Sequence, residues 1–240
     1  MTRLSPPRQL TLDLPPTISF SREDFLVSPS NEAAYGLVER WPDWPGRRAL
    51  LVGPTGSGKS HLAAIWAEMA DAAVTDLSSL TQEAVPGLVA RGAVVIEDMR
   101  QGSSETALFH LLNLAGETGA SILMTVRERP GEWGFGLPDL VSRLRATNTV
   151  AIDAPDDDLL RSLLVKLFLD RQLIVDTSVV DFLVRRIERS FDAARHVVEV
   201  LDREGLSRGR RITRALAGEL LAEVLAATAG PGAESSNDFK

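Results

Sequence analysis

Through residue 153 the hydrophobic positions fall in short unbroken blocks, separated by longer stretches with helical spacing. RALLVGP (48–54), AVVIED (93–98), SILMTV (121–126) and NTVAID (148–153) each read as a strand, and AAVTDL (72–77) as a weaker one. Helices are predicted between them over 61–72, 82–90 and 105–118. Upstream, NEAAYGLVERW (31–41) carries apolar residues at helical spacing, with Ser30 or Asn31 placed to cap it and Pro42 and Pro45 ending it. Continuously apolar strands that alternate with helices predict a parallel sheet covered on both faces. After Asp153 the strand pattern stops, and four stretches over 155–173, 175–189, 191–205 and 213–227 all have helical periodicity. The Asp156–Asp158 run reads as a helix start, since acids favour the positive N-terminal end of a helix.

The expected architecture is α/β, a P-loop parallel sheet with helices on both faces, followed by a small all-α lid domain. The expected divisions are an extended N-terminal peptide and linker (1–20), a nucleotide-binding α/β domain (21–154), the helical domain (155–228) and a disordered tail (229–240). Within the first segment, RQLTLDLPP (8–16) alternates like a half-buried strand. Pro6, Pro7, Pro15 and Pro16 nevertheless isolate it from any continuing ladder. It reads as a peptide kept out of the fold and free to bind elsewhere.

Composition narrows the function classes. The 240 residues hold no cysteine, so disulfides and thiolate metal sites are excluded, and the three histidines are far apart in the sequence. No apolar run is long enough to span a bilayer, and no secretory leader is evident; a cytoplasmic protein is expected. A net charge of −7 argues against whole-surface attraction to nucleic acid. The RGRR run at 208–211 reads as a solvated loop, so any DNA contact is expected to be indirect or weak.

The chemistry is concentrated in GPTGSGKS, made of Gly53, Pro54, Thr55, Gly56, Ser57, Gly58, Lys59 and Ser60. It fits G-x-x-x-x-G-K-[ST] between a predicted strand and a predicted helix, the context in which the motif cradles a phosphate chain. Glycines let successive backbone N–H groups point inward, and the following helix turns its positive end to the same anion. Lys59 is placed to reach the outer phosphates and the Ser60 hydroxyl to ligate Mg²⁺. Acids at the end of an adjacent strand complete such a site, and VVIED supplies Glu97 and Asp98. The order departs from the usual one, in which aspartate comes first.

A P-loop sheet followed by a helical lid resembles the AAA+ class, and several segments resemble its DnaA-type branch. FLVSPSNEAA is similar to the segment that packs near the adenine, which implies that role for Asn31. LPDLVSRL (137–144) is similar to the motif whose arginine acts as a finger on a neighbouring subunit's nucleotide, which implies Arg143. FDAARHVVEVLDR resembles the lid helix bearing a nucleotide-sensing arginine, which implies Arg195. Thr125 falls at the sensor-one position, but Arg127 stands about where the family has an acid. The chain is expected to stop after the lid, without the flanking domains of DnaA. That layout, with Gln9, Leu10, Leu12 and Leu14 in the pattern Q-L-x-L-x-L, resembles the Hda family of DnaA regulators. The resemblance implies ADP or ATP with Mg²⁺ as cofactors, and the sliding clamp (DNA polymerase III beta subunit) and DnaA as partners. It further implies hydrolysis stimulated in DnaA, weak or no intrinsic ATPase, and a nucleoid- or replisome-associated location. A homo-oligomer is compatible with finger chemistry, which requires a neighbour of either kind. Two other readings share these motifs: a self-contained AAA+ ATPase, and a nucleotide-gated adaptor or helicase loader.

Overall fold

In a computed structural model of the chain, residues 20–99, 104–127 and 135–228 are described, with side chains through residue 222. The N-terminal motif at Gln9, Leu10, Leu12 and Leu14 lies outside the described residues, as does the tail.

Among the described residues the strands are β1 (Arg48–Val52), β2 (Ala73–Asp76), β3 (Ala93–Met99), β4 (Ser121–Val126) and β5 (Asn148–Ala151). They form one sheet in the order β2-β3-β4-β1-β5, and every paired strand is parallel. The period of two in β1 shows why both faces are covered. Leu50 and Val52 enter one core with residues of α3 (Val85–Val89), α4 (Glu105–Thr118) and α5 (Pro138–Arg145). Ala49 and Leu51 enter a second core with α1 (Glu32–Glu39) and α2 (Lys59–Ala70). This is the expected α/β architecture. The order reverses around β1, so its C-terminal end lies where doubly wound sheets bind ligands.

Local chemistry sets the element ends. Ser104 caps α4 by accepting from the Ala107 N–H (3.3 Å), and Gly119, at φ 78°, closes its other end. α3 starts at Val85 rather than 82, because a Thr81-centred turn precedes it: the Ala84 N–H bonds both the Thr81 carbonyl (3.2 Å) and hydroxyl (3.3 Å). β5 ends at Ala151 instead of Asp153. The Ile152 N–H still reaches the Val52 carbonyl (2.7 Å), but the Asp153 N–H turns to Ser30 (3.0 Å). The LPDLVSRL motif, to which the sequence pattern assigns no element, forms the helix α5 with Pro138 at its first position.

Residues from Leu160 onward make a second compact unit, divided from the first within α6 (Asp157–Asp170). Leu160, Phe168, Leu183, Val198 and Leu201 are buried among α6, α7 (Thr177–Val184), α8 (Phe191–Arg208) and α9 (Arg214–Thr228). Asp176 and Ser190 cap α7 and α8 through the N–H groups of Ser178 (2.8 Å) and Ala193 (3.0 Å). Among the described residues, no helix is long and apolar enough to cross a membrane.

Trp41, Trp44 and Trp66 pack together beneath α1 and α2, with Trp44 stacked on Trp66 at 5.1 Å. The Trp44 indole N–H donates to the Leu37 carbonyl (2.7 Å), capping the last turn of α1 inside the core. Trp41 donates to the Ser121 hydroxyl at 3.2 Å in a less buried place. Trp44→Phe leaves a buried carbonyl unpaired and should cost about 1–3 kcal/mol in urea unfolding. Trp41→Phe should cost less, and the reverse order would show that the indole bonds do not set the ranking.

Candidate nucleotide site

The loop after β1 is built around Gly53. Its N–H continues the ladder to Val126 of β4 (3.1 Å). A Cβ here would lie 2.4 Å from the Ile152 carbonyl oxygen and 2.8 Å from Ser57 Oγ, so no other residue fits without moving backbone. Gly56 (φ 69°) and Gly58 (φ 98°) take left-handed conformations that curl the loop back before α2 starts at Lys59. The first turn of α2 thus aims its N–H groups into the loop.

Polar side chains within this curl are arranged for an anion. Lys59 Nζ donates to the carbonyls of Gly53 (2.7 Å) and Pro54 (2.8 Å), so its charge is held on the loop's own rim. Ser57 is 1% exposed, and its Oγ has no hydrogen-bond partner. A buried hydroxyl left without a partner is costly, and a phosphate oxygen held in the loop would pair it. The Ser60 hydroxyl donates to Glu97 Oε2 at 2.7 Å, which brings together the two groups expected at the metal. Among the described residues no three acidic or histidine side chains converge on a metal position. Mg²⁺ at Ser60 and Glu97 would therefore need phosphate oxygens and water to complete its shell, as is usual for this ion.

Asp98 is not equivalent to its neighbour. Its backbone is left-handed (φ 48°), at a register shift between β3 and β4, and its N–H donates to Thr125 Oγ1 (3.0 Å). Its carboxylate lies 3.3 Å from Arg127 Nε. Thr125, 2% exposed in β4, thus fixes the backbone beside the two acids. The sequence places Thr125 near the site but contains no signal for this bond, because it depends on the shifted register.

Asn31 is buried, and both ends of its amide serve its own loop: Oδ1 accepts from Ser28 N and Nδ2 donates to the Leu26 carbonyl, each at 2.9 Å. Its side chain shapes the 26–31 segment, whereas Ser30 and Asn31 make no side-chain cap on α1. His61, in the first turn of α2, bonds the Ser21 carbonyl through Nε2 (2.8 Å) and packs edge-on against Phe20 and Phe25. The first described residues are therefore fastened to the helix that leaves the phosphate loop.

Arg143 lies elsewhere. It is in the last turn of α5, exposed, with its guanidinium 5.4 Å from the Phe109 ring centre. Burial, reinforced by the Arg143 charge, pushes the Arg48 guanidinium below its ordinary value. α5 ends at Arg145 and the chain enters β5 at Asn148, which pairs with Ala49, so Arg143 lies toward the start of β1. Gly53 follows the other end of that strand, about 17 Å away on the usual rise per strand residue. Among the described residues Arg143 has no carboxylate partner. Arg195 belongs to the helical unit, where it lies 3.7 Å from Asp192 of its own helix.

No known family model matches the chain. Among solved structures, it is similar to domain III of the replication initiation protein DnaA from Thermotoga maritima, at 21% identity and a TM-score of 0.72. That match covers 85% of this chain and 96% of the other. AMPPCP-bound DnaA from Aquifex aeolicus is similar at 16% identity and a TM-score of 0.66, with 78% of this chain and 66% of that one covered. A point variant of RuvB from Thermotoga maritima matches at 15% identity and a TM-score of 0.66, over 86% and 72% of the two chains. The chain thus spans nearly all of the isolated DnaA domain and about two thirds of the longer DnaA chain.

Thr125→Val removes the acceptor for the Asp98 N–H while keeping side-chain volume. It should destabilise the fold by about 1–3 kcal/mol in chemical denaturation. An unchanged midpoint would show that this bond does not hold the end of β3. The fold that carries these groups is the AAA+ P-loop fold seen in DnaA and RuvB.

Proposed function

We propose that this chain is an Hda-like regulator of chromosome replication initiation, which binds adenine nucleotide and the DNA-loaded sliding clamp and stimulates ATP hydrolysis by DnaA. The observation that carries this reading is the separation of Arg143 from the chain's phosphate loop: α5 ends just before Asn148, which pairs with Ala49 at the start of β1, whereas the loop follows the other end of that strand. A guanidinium at that end cannot serve its own nucleotide, but it can serve one presented by a docked neighbour.

ADP or ATP would be held by the loop from Gly53 to Ser60. The orphaned Ser57 hydroxyl, the helix N-terminus and Lys59 are suited to its phosphates, and Asn31 shapes the segment expected beside the base. Ser60 and Glu97 would hold Mg²⁺, with Asp98 next to them. The metal, when bound, neutralises charge on the phosphate oxygens. Intrinsic turnover is weak in this reading. Asp98 is one methylene shorter than glutamate, and Arg127 draws its charge aside. Arg195 would sense the nucleotide from the lid, and Thr125 from β4.

The peptide at Gln9, Leu10, Leu12 and Leu14 would tether the chain to the clamp, in the mode where alternate side chains of an extended strip fill pockets. The protein would then act in the cytoplasm at the replisome, with DNA contact at most indirect or weak.

ATP hydrolysis by this chain alone, DnaA alone, and both with clamp-loaded DNA decides the matter. The mixture should exceed the sum, and equality would sink the regulator reading. Hydrolysis by this chain alone at the mixture's rate would instead mark a self-contained AAA+ ATPase. Arg143→Ala should lower the stimulated rate by about 10³- to 10⁵-fold, down to whatever DnaA shows alone, while clamp binding persists. Gln9→Ala with Leu12→Ala should abolish stimulation but leave the affinity for ADP intact in calorimetry.

A further inference from the structure

The contact between α4 and α5 has two polar grips that apolar packing does not require. Glu105, the first residue of α4, directs its carboxylate to the entry of α5. There it accepts from the Gly136 N–H (3.0 Å to each oxygen) and from the Leu137 N–H (2.9 Å). Leu137 occupies the N-cap position, so Glu105 takes from a neighbouring helix the N-cap N–H that the third-residue acid of a capping box takes locally. Phe109 lies one turn further along α4, on the same face, since residues four apart are neighbours on a helix. Its ring sits under the Arg143 guanidinium at 5.4 Å, a cation–π contact. One helix therefore grips both the start of α5 and the functional group near its end.

We propose that Glu105 and Phe109 are positioning residues that hold the Arg143 guanidinium ready for a phosphate presented by a second nucleotide-binding chain. The inference rests on the in-trans role of Arg143 above and deepens it. An unheld arginine samples many rotamers, and only the fraction in the productive one meets the reacting phosphate once the partner has docked. Placement also matters to the chemistry, because a displacement of about 1 Å can cost on the order of 100-fold in rate. With no carboxylate partner among the described residues, Arg143 need not give up an ion pair before it meets a phosphate.

The test uses the full chain with Glu105→Ala, Glu105→Gln, Phe109→Leu and Phe109→Tyr, and it has two readouts. The first is ¹⁵N relaxation of Arg143 Nε, with the ring-current shift of its protons. Phe109→Leu and Glu105→Ala should loosen the side chain, Phe109→Tyr should keep it ordered, and Glu105→Gln, which retains an acceptor oxygen, should fall between. Equal order in the wild type and all the variants would overturn the proposal. The second is stimulated hydrolysis with DnaA and clamp-loaded DNA. Phe109→Leu and Glu105→Ala should lower the maximal rate about tenfold or more, with the half-maximal concentration and ADP affinity unchanged and Phe109→Tyr near wild type. Leucine fills the same apolar space, so a loss rescued by tyrosine alone separates the ring's hold on the cation from packing. A raised half-maximal concentration with an unchanged maximal rate would overturn the positioning role. If the wild-type chain gives no stimulation, the regulator reading falls, while the relaxation measurement still decides whether α4 orders Arg143.

Discussion

At the end of β1 the backbone passes its neighbours with no room for a side chain. Gly53 is pressed against the Ile152 carbonyl on one side and the Ser57 hydroxyl on the other, while its N–H stays in the ladder to Val126. Much of the site depends on that close approach. It lets the loop leave the sheet without losing its hydrogen bonds, and it buries Ser57 with its hydroxyl unpaired. It also sets α2 so that Lys59 and Ser60 face the loop rim and Glu97. A larger residue would move the carbonyl, the loop or both. The phosphate cradle is in this sense a property of strand packing as much as of the glycines that curl it.

The sheet also separates two kinds of chemistry. Groups suited to a phosphate chain gather beyond the C-terminal ends of β1 and β3, whereas Arg143 lies toward the N-terminal end of β1, against Phe109 of α4. The distance between them is set by strand length. A parallel sheet with connections running back through helices makes such a division natural, because each connecting helix ends where the next strand begins. A group at the end of α5 is thereby carried away from the site that the strand ends build.

Much of the sheet was legible because an unbroken apolar run such as SILMTV is too short for a buried helix and fits a strand covered on both faces. The strand–loop–helix context of the Gly53–Ser60 motif was legible because its glycines and lysine sit between an apolar run and a helical pattern. The α5 helix was less so: its eight residues are mostly polar and put only Leu140 and Leu144 in the core, too short a run to mark an element, and the approach to it is held by Glu105, more than thirty residues away. The same limit hides the Asp98–Thr125 bond and the stack of Phe109 under Arg143. Each joins residues distant in sequence through a register or crossing that composition does not encode. Asn31 shows a subtler case. Its place at the start of α1 was readable from the sequence, but its amide is committed to Ser28 and Leu26 rather than to a side-chain cap. The domain edge expected at 154/155 and the compact-unit boundary at Leu160 differ by about one helical turn, and α6 runs through the latter.

The tryptophan cluster gives the molecule a built-in optical reporter. Trp66 sits two turns along α2 from Lys59, and Trp41 and Trp44 lie 6.1 Å and 5.1 Å from it, close enough for excitation to pass among the rings. Its indole N–H is buried and unpaired, a polar group in an apolar setting whose emission is sensitive to small shifts in local field. With three of the four tryptophans gathered along this one helix, the intrinsic fluorescence of the chain is weighted toward the element whose N-terminus forms the phosphate cradle. A tilt of α2 would therefore be visible as a spectral change without any label attached.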